Sequence, residues 1–414
     1  MSITTSVDER IRIRWSAWFG DRELTLPCPA GWDVRLCPPA GVTDIGAEGI
    51  QAAFDDPIGT SRLRELAVGK QRACVVVDDL SRPTPTDRLL VPILDELAAA
   101  GIPAEDVTIL VAVANHRPMM HQDLEKKIGR DALERCTVRN HFSWHSCVRV
   151  GTTPGGTPIE INRHLVDADL RILVGSIVPH PLAGFSGGAK LLLPGSASIT
   201  SAEAYHRQTP GADDGYGVVD TALRRDSEAA AAQFHIDFLV NSIPTPDRGI
   251  AALVTGDIVA AHRAGVERAR AAFATSVPAR ADICLISAYP KDNEMRQYAA
   301  AFAPLRSAPE PLVREGGTVL MTSAGTEGPG FHSLMGPGMP LFGAVPPPVS
   351  GADLVVFSPG VRAGDLEPEE LARMHLFATW EETLAWLVDK HGEVARMTVL
   401  PSGVHQLVDR MPAW

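Results

Sequence analysis

The chain has 414 residues, 45% apolar and 21% charged, the balance of a soluble globular protein long enough for two cores. Its formal charge of −12 disfavours a broad electrostatic grip on nucleic acid or anionic lipid, while leaving room for a local basic pocket that takes a small anion. The opening "MSITTSVDERIRIRW" lacks a signal-peptide core and no apolar run reaches the roughly 18 residues of a membrane span, so a cytoplasmic protein is expected.

In chain order, "ACVVV" (73–77), "VTILVAV" (107–113), "LRILVGSI" (170–177) and "AALV" (251–254) read as buried parallel strands. Between the first two, "TDRLLVPILDELAAAGI" has apolar residues at helical spacing, with Thr86 or Asp87 to cap its start and Gly101 to end it. Strand, helix and strand in this order are the signature of an open α/β sheet. A helix over 256–276 leads to a second series, "DICLIS" (282–287), "GTVLMT" (317–322) and "DLVVF" (353–357), then helices across 367–390. The reading is two α/β lobes with mostly parallel sheets, 1–275 and 276–414, joined by helical linkers, with the active site in the cleft between them. Proline-rich 343–351 is expected as a surface loop. The six cysteines form no C-x-x-C pair, so reduced packing thiols are expected and a structural zinc site is not.

Ligands of open α/β sheets sit beyond the carboxyl ends of the strands, and three such loops are unusual. In "DDLSRPTPTD" (78–87), Asp78 and Asp79 can hold sugar hydroxyls, Arg82 a phosphate or carboxylate, and Thr84 and Thr86 stand before a helix N-terminus. In "ANHRPM" (114–119), His116 leaves a strand end; alone it would be more often structural than catalytic. "SIVPHPLAGFSGGAK" (176–190) supplies His180, and two histidines on neighbouring strand ends favour catalysis. This loop is not a P-loop: Ala189 and Leu191 stand where the second glycine and the metal-binding hydroxyl belong. Gly187 and Gly188 still allow close approach to the backbone, Lys190 is still presented, and His206 follows as a candidate metal ligand. No H-E-x-x-H or two-His-one-carboxylate spacing accompanies it, so a metal would arrive mostly liganded by something else.

"DDLSRPTP", "NHRP", "PHPLAGFSGGAKLLLPG" with His206, "AYPKD" (288–292) and "EGPGFHSL" (327–334) together resemble the nickel-pincer-nucleotide-dependent lactate racemase family. The resemblance implies a 2-hydroxy acid racemase or epimerase whose cofactor is a modified pyridinium mononucleotide carrying nickel, supplied by cofactor-biosynthesis proteins. It implies His206 as the nickel ligand, Lys190 as a cofactor-binding lysine (covalently attached in some members), and Asp79, Arg82 and Thr84 around ribose, phosphate and substrate carboxylate. His116 and His180 match the two bases that serve the two enantiomers while hydride leaves and returns to the α-carbon through a 2-keto acid. The chain departs from the family after the Y-P-K-D block: Gln297 is kept, but Arg296 stands for a tyrosine and Ala300 for a lysine. With 293–303 as a helix, positions 296, 297 and 300 would share a face, which points to a substrate larger than lactate, its second polar or acidic group met by Arg296. The alternatives are a homologue that holds the cofactor without catalysis, and a nucleotide-dependent 2-hydroxy acid oxidoreductase. Against the latter, no G-x-G-x-x-G opens a helix after a strand. The oligomeric state is not legible.

Overall fold

The computed structural model describes residues 7–208, 215–343 and 347–414; residues 1–6 and part of the 343–351 loop lie outside it. The chain forms two compact units. One comprises Val42–Ala272 and Phe331–Phe342; the other comprises the described part of Met1–Gly41, Phe273–Gly330 and Gly343–Trp414. The expected boundary near 276 falls close to the junction at Phe273, but the N-terminal residues through Gly41 and the segment 331–342 are distributed otherwise than a single cut allows.

The first unit is built on a six-stranded sheet. Its order is Ile250–Gly256, Phe238–Pro244, Leu170–Ser176, Ala73–Val77, Val107–Val111 and Thr137–Asn140. Every residue of Ala73–Val77 is buried, which is why it reads as an unbroken apolar run. The helix Thr86–Ala99 buries Leu89, Leu90, Ile93, Leu94 and Leu97 along one stripe. It starts without a side-chain cap, contrary to the expected Thr86 or Asp87. From Ala73–Val77 the chain moves to Val107–Val111 on one side and later returns to Leu170–Ser176 on the other. The strand order reverses there, so the loops 78–85 and 177–190 leave from either side of the switch point, where such sheets bind ligands.

"AALV" is not parallel: Ile250–Gly256 pairs antiparallel with Phe238–Pro244, a strand the sequence reading missed. Only a short turn separates these two strands, whereas a parallel crossover needs a dozen residues or more. The second unit holds a six-stranded, all-parallel sheet, in the order His375–Phe377, Asp353–Phe357, Val313–Thr322, Ala281–Ser287, Arg396–Leu400 and Asp33–Leu36. Asp33–Leu36 closes one edge, which accounts for the N-terminal residues belonging to this unit. Among the described residues no helix is long and apolar enough to cross a membrane.

A buried histidine ties the loops of the first unit together. His141 donates from Nε2 to the Ala197 carbonyl at 2.8 Å and accepts at Nδ1 from Asn162 at 3.0 Å. Burial holds its imidazole down at about 4, against an ordinary 6.5. The folded chain therefore binds fewer protons than the unfolded chain between those values, and stability present above pH 6.5 is lost as pH falls toward 4. His141 alone is worth on the order of 3 kcal/mol over that range. Denaturant unfolding of His141→Gln should show a shallower loss of stability between pH 7 and pH 5 than wild type; equal slopes would contradict the assignment.

Candidate functional site

Lys127, which sequence reasoning missed, organises the loop that follows Ala73–Val77. It is wholly buried, lies 2.7 Å from Asp78 Oδ1, and donates to the carbonyls of Arg82 and Thr84 at 3.0 Å each. Thr84 is also fully buried and donates its hydroxyl to Asp78 at 2.5 Å. An ammonium saturated by three oxygens of one loop fixes the path of that loop, and breaking such a pair costs about 3–5 kcal/mol. Thr84 is thus part of the frame, its hydroxyl hydrogen committed to Asp78 and not to a ligand.

Asp79 is likewise turned inward. Its Oδ2 is 2.7 Å from His116 Nδ1, and its Oδ1 accepts from the Ser81 amide at 2.8 Å and from the Ser81 hydroxyl. Burial opposes ionisation of Asp79, but His116, Arg82 and Ser81 together outweigh it and hold the carboxyl well below the usual carboxylate range. Asp79 is thus paired with His116 inside the protein. The proton sits on His116 Nδ1, facing the carboxylate, and leaves Nε2 as the basic atom. Arg82 folds over the same turn, donating to Ser81 Oγ at 2.7 Å.

His180 is held the opposite way. Its Nδ1 accepts from the backbone amides of Leu182 and Ala183, both at 3.2 Å, so the neutral ring carries its proton on Nε2. The two neutral rings thus hold opposite tautomers.

The glycine-rich loop is braced from behind. Arg224, fully buried, donates to the carbonyls of Gly187 (3.0 Å) and Phe185; His262 Nε2 meets the Ser186 carbonyl at 3.0 Å; the Gly188 amide donates to Asn241 at 2.7 Å. Gly187 and Gly188 have φ of +72° and +60°, and a Cβ there would meet Asn241 Oδ1 at 2.6 Å and His262 Cδ2 at 2.8 Å. Their close approach is to these protein groups. No sequence pattern marks Arg224, Asn241 or His262, because their contact with the loop is long-range.

Lys190 ends the loop with its Nζ over the Tyr205 ring, 5.6 Å from the centroid. Burial, with Arg224 and Arg82 adding like charge, pushes its pKa well below the ordinary 10.5. Neither Lys190 nor Arg224 has a carboxylate partner among the described residues. His206 closes the helix Ile199–His206, which Ser198 caps by accepting from the Ser201 amide. Its Nδ1 donates to the Ala202 carbonyl at 2.7 Å. Burial first, then Lys190, holds the ring at about 4, so it is neutral at physiological pH with Nε2 available as a ligand.

Arg296, Gln297 and Ala300 lie in the other unit. Met295–Phe302 is a 3₁₀ helix, not an α-helix, so positions 297 and 300 align while 296 points about 120° away. The expected common face does not form. Arg296 instead pairs with Glu370 at 2.9 Å, with side-chain exposures of 11% and 19%, so its charge is met within the protein.

Cations lacking carboxylates, an uncapped helix N-terminus at Thr86 and a neutral imidazole suit an anionic ligand that brings a metal with it. Among the described residues no three His, Cys, Asp or Glu side chains gather as a metal-holding group. A metal on His206 would take its remaining ligands from that molecule.

Residues 19–215 match the model of the lactate racemase N-terminal domain. A lactate racemase of Lactiplantibacillus plantarum is 30% identical over 391 residues, covering 87% of this chain and 90% of that protein. One from Thermoanaerobacterium thermosaccharolyticum is 32% identical over 289 residues, 68% of this chain and 66% of its own. The apoprotein structure of lactate racemase from the latter organism superposes with a TM-score of 0.76 at 24% identity, covering 96% of this chain and 100% of that one. A Thermotoga maritima protein follows at 0.63 and 17%, covering 84% and 97%. The chain belongs to the lactate racemase family.

Proposed function

We propose that this enzyme racemises a 2-hydroxy acid by moving the α-hydrogen as hydride, with a nickel-pincer nucleotide as acceptor and a 2-keto acid held between the two transfers. The observation that carries the reading is the buried pairing of Asp79 with His116, which sets Nε2 of that ring as the base, with the Nε2–H of His180 as a hydrogen-bond donor on a neighbouring loop. A protein that only held a nucleotide would need Lys190 and His206, but would have no use for a buried Asp–His pair. The name borne by the relatives, lactate racemase, supports the same reaction class.

An α-hydrogen beside a carboxylate is too weakly acidic for a histidine to remove as a proton. When bound, the nucleotide supplies an electrophilic carbon that takes up and returns hydride. His206 would hold its nickel through Nε2, while Lys190 and the Thr86 helix end would answer its phosphate. Arg82 would pair with the substrate carboxylate. His116 takes the hydroxyl proton of one enantiomer, and Asp79 stabilises the imidazolium that results. The proton held on His116 would return to the keto oxygen as hydride is restored to the other face, with the Nε2–H of His180 hydrogen-bonded to that oxygen. The opposite enantiomer uses the same two groups in reverse. Proteins that make the nucleotide are the partners this scheme requires.

Substrate size follows from the second unit. Because Glu370 meets the charge of Arg296, a second acidic group on the substrate no longer follows. Ala300 in place of a lysine still favours a side chain larger than a methyl group.

His206→Ala should lose nickel while keeping its fold, read by metal analysis after co-expression with the cofactor-making proteins; full nickel content would remove His206 from the site. His116→Ala and His180→Ala should each lower kcat/KM by about 10²–10⁴-fold. The loss must be equal in both directions, because the enantiomers have equal energy. Near-normal turnover in either variant would sink the two-histidine scheme. Arg296→Ala and Glu370→Ala should each cost about 1–3 kcal/mol of stability, with the double variant costing no more than either alone. A longer uncharged hydroxy acid should also turn over faster than lactate. A rise in KM for a dicarboxylic hydroxy acid in Arg296→Ala, at unchanged stability, would restore Arg296 to the substrate.

A further inference from the structure

His332, in "EGPGFHSL", has no part in the scheme above. The segment Phe331–Phe342 packs in the unit that carries the histidine loops, although the chain on both sides of it belongs to the other unit. Within that unit it makes two attachments. The Ser333 amide donates to the Asn115 carbonyl at 2.8 Å, and its hydroxyl donates to Asn115 Oδ1 at 3.1 Å, one residue before His116. Leu334, Met335 and Leu341 pack with Ile199 and Ala202, on the helix that ends in His206. The segment therefore braces both the proton-accepting histidine and the candidate nickel ligand.

The ring of His332 stands edge-on to that of His116, with centroids 5.5 Å apart and planes at 64°. Its Nδ1 accepts from the amides of Leu334 (3.2 Å) and Met335 (3.1 Å). This is the same self-capping arrangement that His180 makes with Leu182 and Ala183. The local turn locks His332 in one rotamer, so its ring is a fixed wall.

We propose that His332 is a positioning residue whose ring confines the His116 imidazole to the orientation in which Nδ1 meets Asp79 and Nε2 is the base. The physical need is specific. The χ2 torsion of histidine is broad, and a swing of the ring about it would lengthen the Nδ1 contact with Asp79 and carry the basic nitrogen out of its place. A misplacement of about 1 Å at a reacting group costs on the order of 10²-fold in rate. The proposal rests on His116 acting as a base in hydroxy acid racemisation.

Three variants separate the ring from the turn. His332→Asn keeps an acceptor for the Leu334 and Met335 amides but has no ring; His332→Phe keeps an edge-to-face ring without the acceptor; His332→Ala has neither. In the nickel-loaded enzyme, His332→Asn should lose roughly 10- to 100-fold in kcat/KM, alike in both directions and mainly in kcat, with nickel content unchanged. His332→Phe should recover most of that loss. In the cofactor-free protein at pH 8, nitrogen NMR of labelled histidines should show wild-type His116 protonated at Nδ1 and bare at Nε2. His332→Asn should average the two nitrogens. Wild-type turnover in His332→Asn, a loss in His332→Phe equal to that in His332→Asn, or unchanged His116 nitrogen shifts in His332→Asn would each overturn the proposal. Because the NMR measurement needs no turnover, it decides the role of His332 even if no hydroxy acid proves to be a substrate.

Discussion

Among the described residues, two buried cations with no carboxylate in ion-pair contact set the terms for the rest of the site. Arg224 spends its donors on the carbonyls of the glycine-rich loop, and Lys190 at the end of that loop faces an aromatic ring and further positive charge. Buried charge without a counter-charge is destabilising, and an anion from outside, as in the proposed function, would offset that cost. The neutral His206 beside Lys190 extends the same logic to the proposed metal: the pair would take an anionic molecule that carries the ion and would offer it a single protein ligand.

The proposed base His116 rests on a nested series of contacts at the neighbouring strand ends. Lys127 fixes the backbone of 78–84, that backbone fixes Asp79, and Asp79 fixes the tautomer of His116. Each step is buried, so each is strong and geometrically narrow. His180 needs no such chain, because two backbone amides of its own turn set its tautomer. The two histidines thus reach complementary states by different means.

The sheet that carries the site was legible because period and burial are local signals: Ala73–Val77, Val107–Val111 and Leu170–Ser176 are where the apolar runs place them. What sequence could not show is where side chains point. Asp79 and Thr84 look like ligand contacts on a polar loop, yet they face His116 and Asp78. Gly187 and Gly188 look like room for a ligand, yet the room is taken by Asn241 and His262. Lys127 is as ordinary in sequence as any helical lysine; only the fold brings it beneath the loop. The α-helical face expected at 296, 297 and 300 failed because spacing alone does not separate a 3₁₀ turn from an α turn over so few residues. The antiparallel edge strand was missed because an apolar run carries no direction.

The central claim is that the α-hydrogen travels as hydride and returns to the same carbon. A single enantiomer of a 2-hydroxy acid bearing deuterium at Cα, turned over in ordinary water by the nickel-loaded enzyme, tests it most directly by mass spectrometry of the opposite enantiomer. The account predicts that the product keeps its deuterium and that turnover is slowed by the heavier isotope. Product that carries solvent hydrogen at Cα from the first turnovers would contradict it and point to proton abstraction.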